Sequence, residues 1–184
     1  MTLNPQEFMQ KMEQRMLFSN SDKAILNFYA DWGKTVVSEM TNCFYDYLGR
    51  DPEMSSILNA SDGRIHRLRE TFIEWFQEMF TGMDAWGTNY AERRWRIGLI
   101  HVRVGIGPQH VVPAMATVVR EITQKLQAES KGNELRDALS KICMIDLAFI
   151  EQAYIKVSSK AVLKESGWTE GSFRRLIATD AAVV

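Results

Sequence analysis

His101 is the residue whose type and setting offer metal chemistry. It lies in an amphipathic segment in which Tyr90, Ile97 and Val104 share its side at helical spacing, and the segment ends abruptly at the Gly105–Pro108 turn. A neutral imidazole nitrogen is a common metal ligand in proteins. A lone histidine on the apolar face of a helix is, however, more often a hydrogen-bonded core residue. Periodicity alone therefore leaves both interpretations open.

The remaining reactive side chains form no recognisable catalytic motif. Cys43 and Cys143 lie far apart and lack the spacing of metal ligands, and the sequence contains neither a phosphate-binding loop nor a nucleophile elbow. His66 is about 200° from Leu68 around a helix, so it faces away if Leu68 faces inward. His110 follows a proline at a helix start. We expect both of these histidines at the periphery, and no catalytic residue on this chain.

Composition restricts the partners of the protein. The 184 residues are 46% apolar, which is enough for one substantial core, and 22 basic against 23 acidic residues give a net charge of −1. Such a balance creates no field that attracts nucleic acid or an anionic membrane. The longest apolar runs are far shorter than the roughly 20 residues of a membrane span, and the N-terminus has no signal-peptide pattern. We expect a cytoplasmic protein without nucleic-acid or membrane partners.

Apolar residues recur at helical intervals through most of the chain, which predicts an all-α fold. The predicted helices cover about residues 5–17, 31–48, 64–81, 89–104, 108–128 and 134–160. A further helix is predicted to begin near the cap-type residues 19–22. The 31–48 helix turns Phe44 and Tyr45 inward, and in the 64–81 helix Thr71 lies on the buried side.

The last two predicted helices have wider apolar faces than one partner needs. A helix that is apolar over more than about 100° of its circumference usually buries a second face. These helices are therefore candidates for the interface of a homodimer, most simply as a four-helix bundle across a two-fold axis. The alternative is that the extra apolar positions belong to the core of the monomer.

The neighbours of His101 carry a family resemblance. The sequence around His101 resembles the proximal-histidine signature of the globin-coupled sensors, which are haem-based oxygen sensors of bacteria. The matching positions are Tyr90, Arg93 or Arg94, Ile97-Gly98, His101, Arg103 to Ile106, Pro108 and Ala114. The segment from Phe44 to Leu48 resembles the distal-tyrosine stretch of that family. The similarity covers roughly residues 20–158. One departure is His110, since similar proteins tend to carry an aromatic residue near that position.

The resemblance implies a globin-like helical sandwich around haem b, with an extra N-terminal helix and a short or missing fourth globin helix. His101 would coordinate the iron through a neutral imidazole nitrogen, while its other ring nitrogen donates to a backbone carbonyl or water. There is no C-x-x-C-H motif, so the haem would be bound without a covalent link. The expected haem contacts are Phe44, Ile65, Leu68, Phe72, Ile97, Val104, Ile106 and Met115. Plain core packing is the alternative for each apolar residue.

On the gas-binding side of the haem, the resemblance places Tyr45, Leu68 and Thr71. O2 on ferrous haem accepts hydrogen bonds well and CO accepts them poorly, so a phenol donor at Tyr45 favours O2; CO and NO are further candidate ligands. One net hydrogen bond of about 1 kcal/mol changes affinity several-fold. Thr71 would supply a second donor, and Leu68 would fill the place where oxygen-storage globins usually keep a histidine.

Together these implications form a functional hypothesis. Residues 1–18 would be an N-terminal helical extension, 19–160 a sensor globin domain, and 161–184 a tail or the start of a linker to an absent output domain. The main hypothesis is that O2 binding is transmitted through a dimer to a diguanylate cyclase, histidine kinase or chemotaxis transducer. One alternative is a stand-alone haem enzyme that removes nitric oxide or acts in redox chemistry; another is a cofactor-free helical adaptor.

Overall fold

The computed structural model describes residues 3–181, without the side chains of residues 83–85. Within that range the chain forms nine α-helices and no strand, which confirms the all-α prediction. The helices are α1 Pro5–Met16, α2 Asn20–Phe28, α3 Ala30–Leu48, α4 Pro52–Leu58, α5 Arg64–Ala85, α6 Thr88–Val104, α7 Pro108–Ala128, α8 Asn133–Ser166 and α9 Glu170–Ala181. None of these helices is both long and apolar enough to cross a membrane.

Side-chain caps explain where three of the helices begin. Asn4 and Asp51 each accept hydrogen bonds from two backbone amides in the first turn of the helix that follows. Ser19 and Asp22 form a capping box, in which each side chain bonds the backbone N–H of the other residue. These bonds satisfy amide groups that have no partner inside the helix. The helix start predicted at residues 19–22 is confirmed.

The core is organised by the packing of α6 on α8 and of α3 on α5. Helix α7 joins these two pairs because it packs against both α3 and α8, and α1 covers α6 and α8. Most of the buried apolar side chains form one continuous core. The seven helices α2 to α8 are one fewer than the eight of an ordinary globin.

The C-terminal part of the chain is more helical than the apolar pattern predicts. Helix α8 runs for 34 residues and ends at Ser166, where Gly167 adopts a left-handed conformation with φ of 68°. Helix α9 then follows at Glu170–Ala181, where no helix was predicted, and it has few contacts with the other helices. Trp168, Leu176 and Ile177 are exposed in this segment. The short helix α4 also lies outside the helix ranges predicted from the sequence.

Candidate functional site

A largely apolar cavity lies between α3, α5, α6 and α7, with α4 and α8 closing its ends. The volume of this cavity is about 190 Å³. The lining residues are Phe44, Tyr45, Leu48, Met54, Leu58, Leu68, Thr71, Phe72, Trp75, Arg94, Ile97, His101, Ile106, His110, Val111, Ala114, Met115, Val118, Asp146 and Ile150. An apolar cavity with a few polar groups is the usual form of a cofactor site.

His101 lies on the α6 side of the cavity. Its Nδ1 donates to the backbone carbonyl of Ile97 at 2.9 Å, one helical turn back, which leaves Nε2 available as a ligand atom. Burial lowers the pKa of His101 below its ordinary value, although the bond to Ile97 partly opposes this effect. The ring is therefore neutral near pH 7, with its tautomer set by the backbone. A metal-binding histidine needs both properties.

Tyr45 lies on α3 and contributes to the opposite side of the cavity. Its side chain is buried, with its ring edge against Phe72 and the Arg69 guanidinium 5.2 Å from its centroid. In the part of the chain that the structure describes, the Tyr45 hydroxyl has no hydrogen-bond partner. Burial raises the pKa of this phenol above its ordinary value, and Arg69 only partly offsets the rise. Tyr45 is thus a neutral donor beside the cavity.

Leu68 and Thr71 line the cavity from α5. Contrary to the prediction, Thr71 is not buried. Thr71 is exposed as a whole, and its hydroxyl donates to the carbonyl of Arg67 at 3.0 Å. This intrahelical bond is common for threonine in a helix, because the carbonyl one turn back is within reach. Helical spacing located the correct side of α5 and overestimated the depth of Thr71.

Most of the predicted apolar contacts line the cavity, and two do not. Phe44, Leu68, Phe72, Ile97, Ile106 and Met115 are part of its wall. Ile65 is 37% exposed and Val104 is half-buried, and neither lines the cavity. Both share a helix side with lining residues, but Ile65 is in the first turn of α5 and Val104 is the last residue of α6. The predicted side of the helix was therefore correct for Ile65 and Val104, but both residues lie outside the cavity along the helix axis.

The two histidines expected at the periphery differ in position. His66 is exposed, as expected, and its Nε2 lies 3.2 Å from the Glu70 carboxylate. His110 is only 9% exposed and lines the cavity, so its predicted peripheral position is wrong. The first turn of α7 packs beside the start of α4, where Asp51 and Glu53 lie 3.9 and 3.1 Å from the ring nitrogens. A proline before a helix therefore did not indicate exposure here.

A buried polar network forms the floor of the cavity, and the sequence did not predict it. Asp146 on α8 accepts hydrogen bonds from Trp75 Nε1 at 2.9 Å, from the Tyr90 hydroxyl at 2.8 Å and from Arg94 Nε at 2.8 Å. Arg94 also donates to Glu78 Oε2 at 2.5 Å. Three helices, α5, α6 and α8, are joined at this one carboxylate.

Arg94 is buried, unlike several other arginines of this region. Its side chain is 1% exposed, whereas Arg67, Arg96 and Arg103 are exposed. Burial opposes the charge of Arg94, but Asp146 and Glu78 outweigh that cost and raise its pKa above the ordinary value. The Arg94 charge is therefore retained. Burial raises the pKa of Asp146 above its ordinary value, while the Arg94 charge and the hydrogen bonds from Tyr90 and Trp75 favour the carboxylate and oppose that rise. One signal was available: Asp146 is a single charge in an apolar stretch from Ile142 to Ile150.

The residues present fit a flat, mostly apolar cofactor that offers one metal coordination site. The cavity places a neutral imidazole with a free Nε2 among apolar side chains, with Tyr45 across from it. The charged groups at its floor are already paired with one another, which leaves the imidazoles of His101 and His110 as lining groups with metal-ligating nitrogens. The ring nitrogens of His110 lie next to the Asp51 and Glu53 carboxylates, so His101 is the better placed metal ligand. This donor set suits the iron of a haem.

Comparisons with known proteins agree with this arrangement. The sequence model of a family described as Protoglobin matches residues 6–160. Among solved structures, the globin domain of a Geobacter sulfurreducens globin-coupled sensor superposes with a TM-score of 0.72 and 27% sequence identity, covering 79% of this chain and 97% of that one. No curated protein matches the sequence. The residues matched by the family model include α3 to α7 and the part of α8 that lines the cavity.

Proposed function

Because the chain belongs to the protoglobin family, we propose that it is a haem-based sensor of a diatomic gas. The observation that carries this proposal is the position of His101, whose Nδ1 is bonded to Ile97 and whose Nε2 is available in an apolar cavity. A bound haem b would supply a ferrous iron with one coordination position for a gas. His101 would hold that iron, and the apolar wall would exclude water from the porphyrin.

We infer that O2 is the preferred gas, and Tyr45 supports this inference. Its phenol is a protonated donor without a partner in the described residues. A ligand that accepts hydrogen bonds, such as O2, is stabilised by this donor more than CO. Thr71 is a weaker candidate for a second donor, because its hydroxyl already donates to Arg67. Leu68 would keep the remaining part of this wall apolar.

We also propose that the sensor acts as a homodimer that passes the gas-binding state to an output such as a diguanylate cyclase, a histidine kinase or a chemotaxis transducer. Support comes from apolar side chains that the monomer leaves exposed on its two long helices, namely Val112 on α7 and Ile155 and Val162 on α8. Residues beyond 160, where the family match ends, continue α8 to Ser166 and include α9.

On this proposal the chain itself is not an enzyme. A peroxidase-like globin needs an acid–base pair next to the gas. The polar side chains on the α3 and α5 wall are Tyr45 and Thr71, and burial keeps the Tyr45 phenol protonated. Sustained consumption of nitric oxide by the purified chain with an added reductant would instead support the alternative of a haem enzyme.

The decisive experiment compares His101→Ala with His66→Ala, a matched control on the exposed surface. We expect the wild type and His66→Ala to purify with haem and to change their ferrous absorption spectra with O2 and with CO. His101→Ala should lose stably bound haem, because the apolar contacts of the cavity wall alone do not hold the haem in place. A colourless wild-type protein, or normal haem content and an unchanged ferrous spectrum in His101→Ala, would contradict the proposal.

A further inference from the structure

Helix α6, which carries His101, lies against α8 at an unusually short distance. Gly98 permits this approach: a Cβ atom at residue 98 would lie 2.8 Å from the carbonyl oxygen of Phe149 and 2.9 Å from the Cβ of Ala153. Contacts this short are not tolerated between real Cβ atoms and backbone, so only glycine fits. The two helices are therefore in direct backbone contact one turn before His101.

The two ends of α6 are attached to α8 in different ways. At the N-terminal end, Tyr90 and Arg94 both donate to the buried Asp146 carboxylate. At the other end, the hydroxyl of Tyr154 on α8 donates to the backbone carbonyl of His101 at 3.2 Å. Residues 94 and 101 are about 10.5 Å apart along the helix axis. One end is thus held by a buried ion pair and the other by one half-buried hydrogen bond.

The Tyr154 bond acts on the backbone of the candidate ligand residue itself. The same His101 carbonyl accepts the backbone N–H of Ile106 at 3.1 Å, which closes the end of α6. A displacement of His101 would therefore move this carbonyl and change the length of the Tyr154 bond. Because the Arg94 end is held by charge pairing, such a displacement concentrates at the His101 end of the helix.

We propose that Tyr154 is a positioning residue that couples the backbone of His101 to α8, so that gas binding changes the order of α8 around residue 154. This inference rests on the proposed function, since it assumes that His101 holds the haem iron. It identifies a direct route from α6 to α8, the helix that continues beyond the globin match, without an intermediate step through α7.

The experiment measures amide hydrogen exchange of the full chain, loaded with haem, with and without CO. In the wild type we expect CO to change protection in residues 98–106 and also in residues 150–158. In Tyr154→Phe the change in 98–106 should persist, whereas the change in 150–158 should fall to the level of noise. Tyr47→Phe, which removes a half-buried phenol from α3, is the control and should behave as the wild type does.

A second measurement uses haem-free protein. Loss of one hydrogen bond in Tyr154→Phe should speed exchange of the amides of residues 102–106 about five-fold, through local opening of the end of α6. An unchanged exchange rate there, or an undiminished response of residues 150–158 in the loaded variant, overturns the inference while the proposed function stands. A wild-type chain that takes up no haem overturns both.

Discussion

Polar groups at the floor of the cavity and polar groups on its walls differ in their hydrogen bonding. At the floor, Asp146 receives three hydrogen bonds, and Arg94 is shared between Asp146 and Glu78. On the walls, the Tyr45 hydroxyl has no partner within the described residues, and Nε2 of His101 is left available. Both regions are buried in the same core, so they differ in hydrogen bonding and not in burial.

This contrast distinguishes structural from ligand-binding polar groups. A buried polar group that has all its partners contributes to the folded state, and removing one partner leaves the others unsatisfied. A polar group that lines a cavity without a partner contributes little to folding and is available to a ligand. Tyr90 and Tyr45 represent the two cases in one chain, because both are buried tyrosines and only the Tyr90 hydroxyl has an acceptor.

The largest expected effect comes from removing the charge at the floor. Arg94→Met keeps the length of the side chain and leaves the Asp146 carboxylate buried without its cation. Breaking a buried pair in this way costs about 3–5 kcal/mol of unfolding free energy. Urea unfolding of the haem-free protein measures the loss, with Arg96→Met, an exposed arginine on the same helix, as the control. Equal midpoints for the two variants would contradict a structural role for the floor.

A smaller effect is expected from the matched pair Tyr90→Phe and Tyr45→Phe. Tyr90→Phe removes a hydrogen bond to a charged acceptor and should lower the unfolding free energy by about 2 kcal/mol. Tyr45→Phe removes a hydroxyl that has no partner in the described residues, so its stability should change little. Thermal and urea unfolding of both haem-free variants test this difference directly. Similar losses of unfolding free energy in the two variants would contradict the distinction between the hydrogen-bonded Tyr90 at the floor and the unpartnered Tyr45 on the wall.

The smallest effect in energy concerns the gas. In haem-loaded Tyr45→Phe, loss of a donor worth about 1 kcal/mol should speed O2 dissociation several-fold and leave CO dissociation less affected. Burial raises the pKa of Tyr45, so the donor stays protonated and the wild-type O2 dissociation rate should stay constant from pH 7 to 10. Stopped-flow kinetics at both pH values provides the measurement. Equal acceleration for both gases would exclude selectivity through the Tyr45 phenol.

Much of the fold was predictable because it depends on local patterns. Apolar spacing located α3, α5, α6 and α7 closely, and cap-type residues located the start of α2. The resemblance to globin-coupled sensors is confirmed by the family match and by the structural similarity. Helix α9 was missed although Phe173, Leu176 and Ile177 recur at helical spacing, because so short a set of apolar residues does not establish a period.

The parts of the site that were missed depend on contacts between distant segments. The side of a helix follows from a 3.6-residue period, which is why Phe44, Tyr45 and His101 were correctly turned inward. The position of a residue along the helix axis relative to a cavity depends on how helices cross, which explains Ile65 and Val104. The pairing of Arg94 with Asp146 spans 52 residues of sequence, so the isolated charge at Asp146 indicates a buried carboxylate but does not identify its partner.

The position of the cavity inside the single core links cofactor supply to folding. Any molecule that binds the folded chain there and does not bind the unfolded chain adds RT ln(1 + [L]/Kd) to the unfolding free energy, or about 4 kcal/mol at a free concentration of 1,000 Kd. That contribution is comparable to the loss expected from breaking the Arg94 pair. Proteolytic lifetime in a cell would then depend on how much of the chain carries its cofactor. The cellular amount of such a gas sensor would then report haem availability as well.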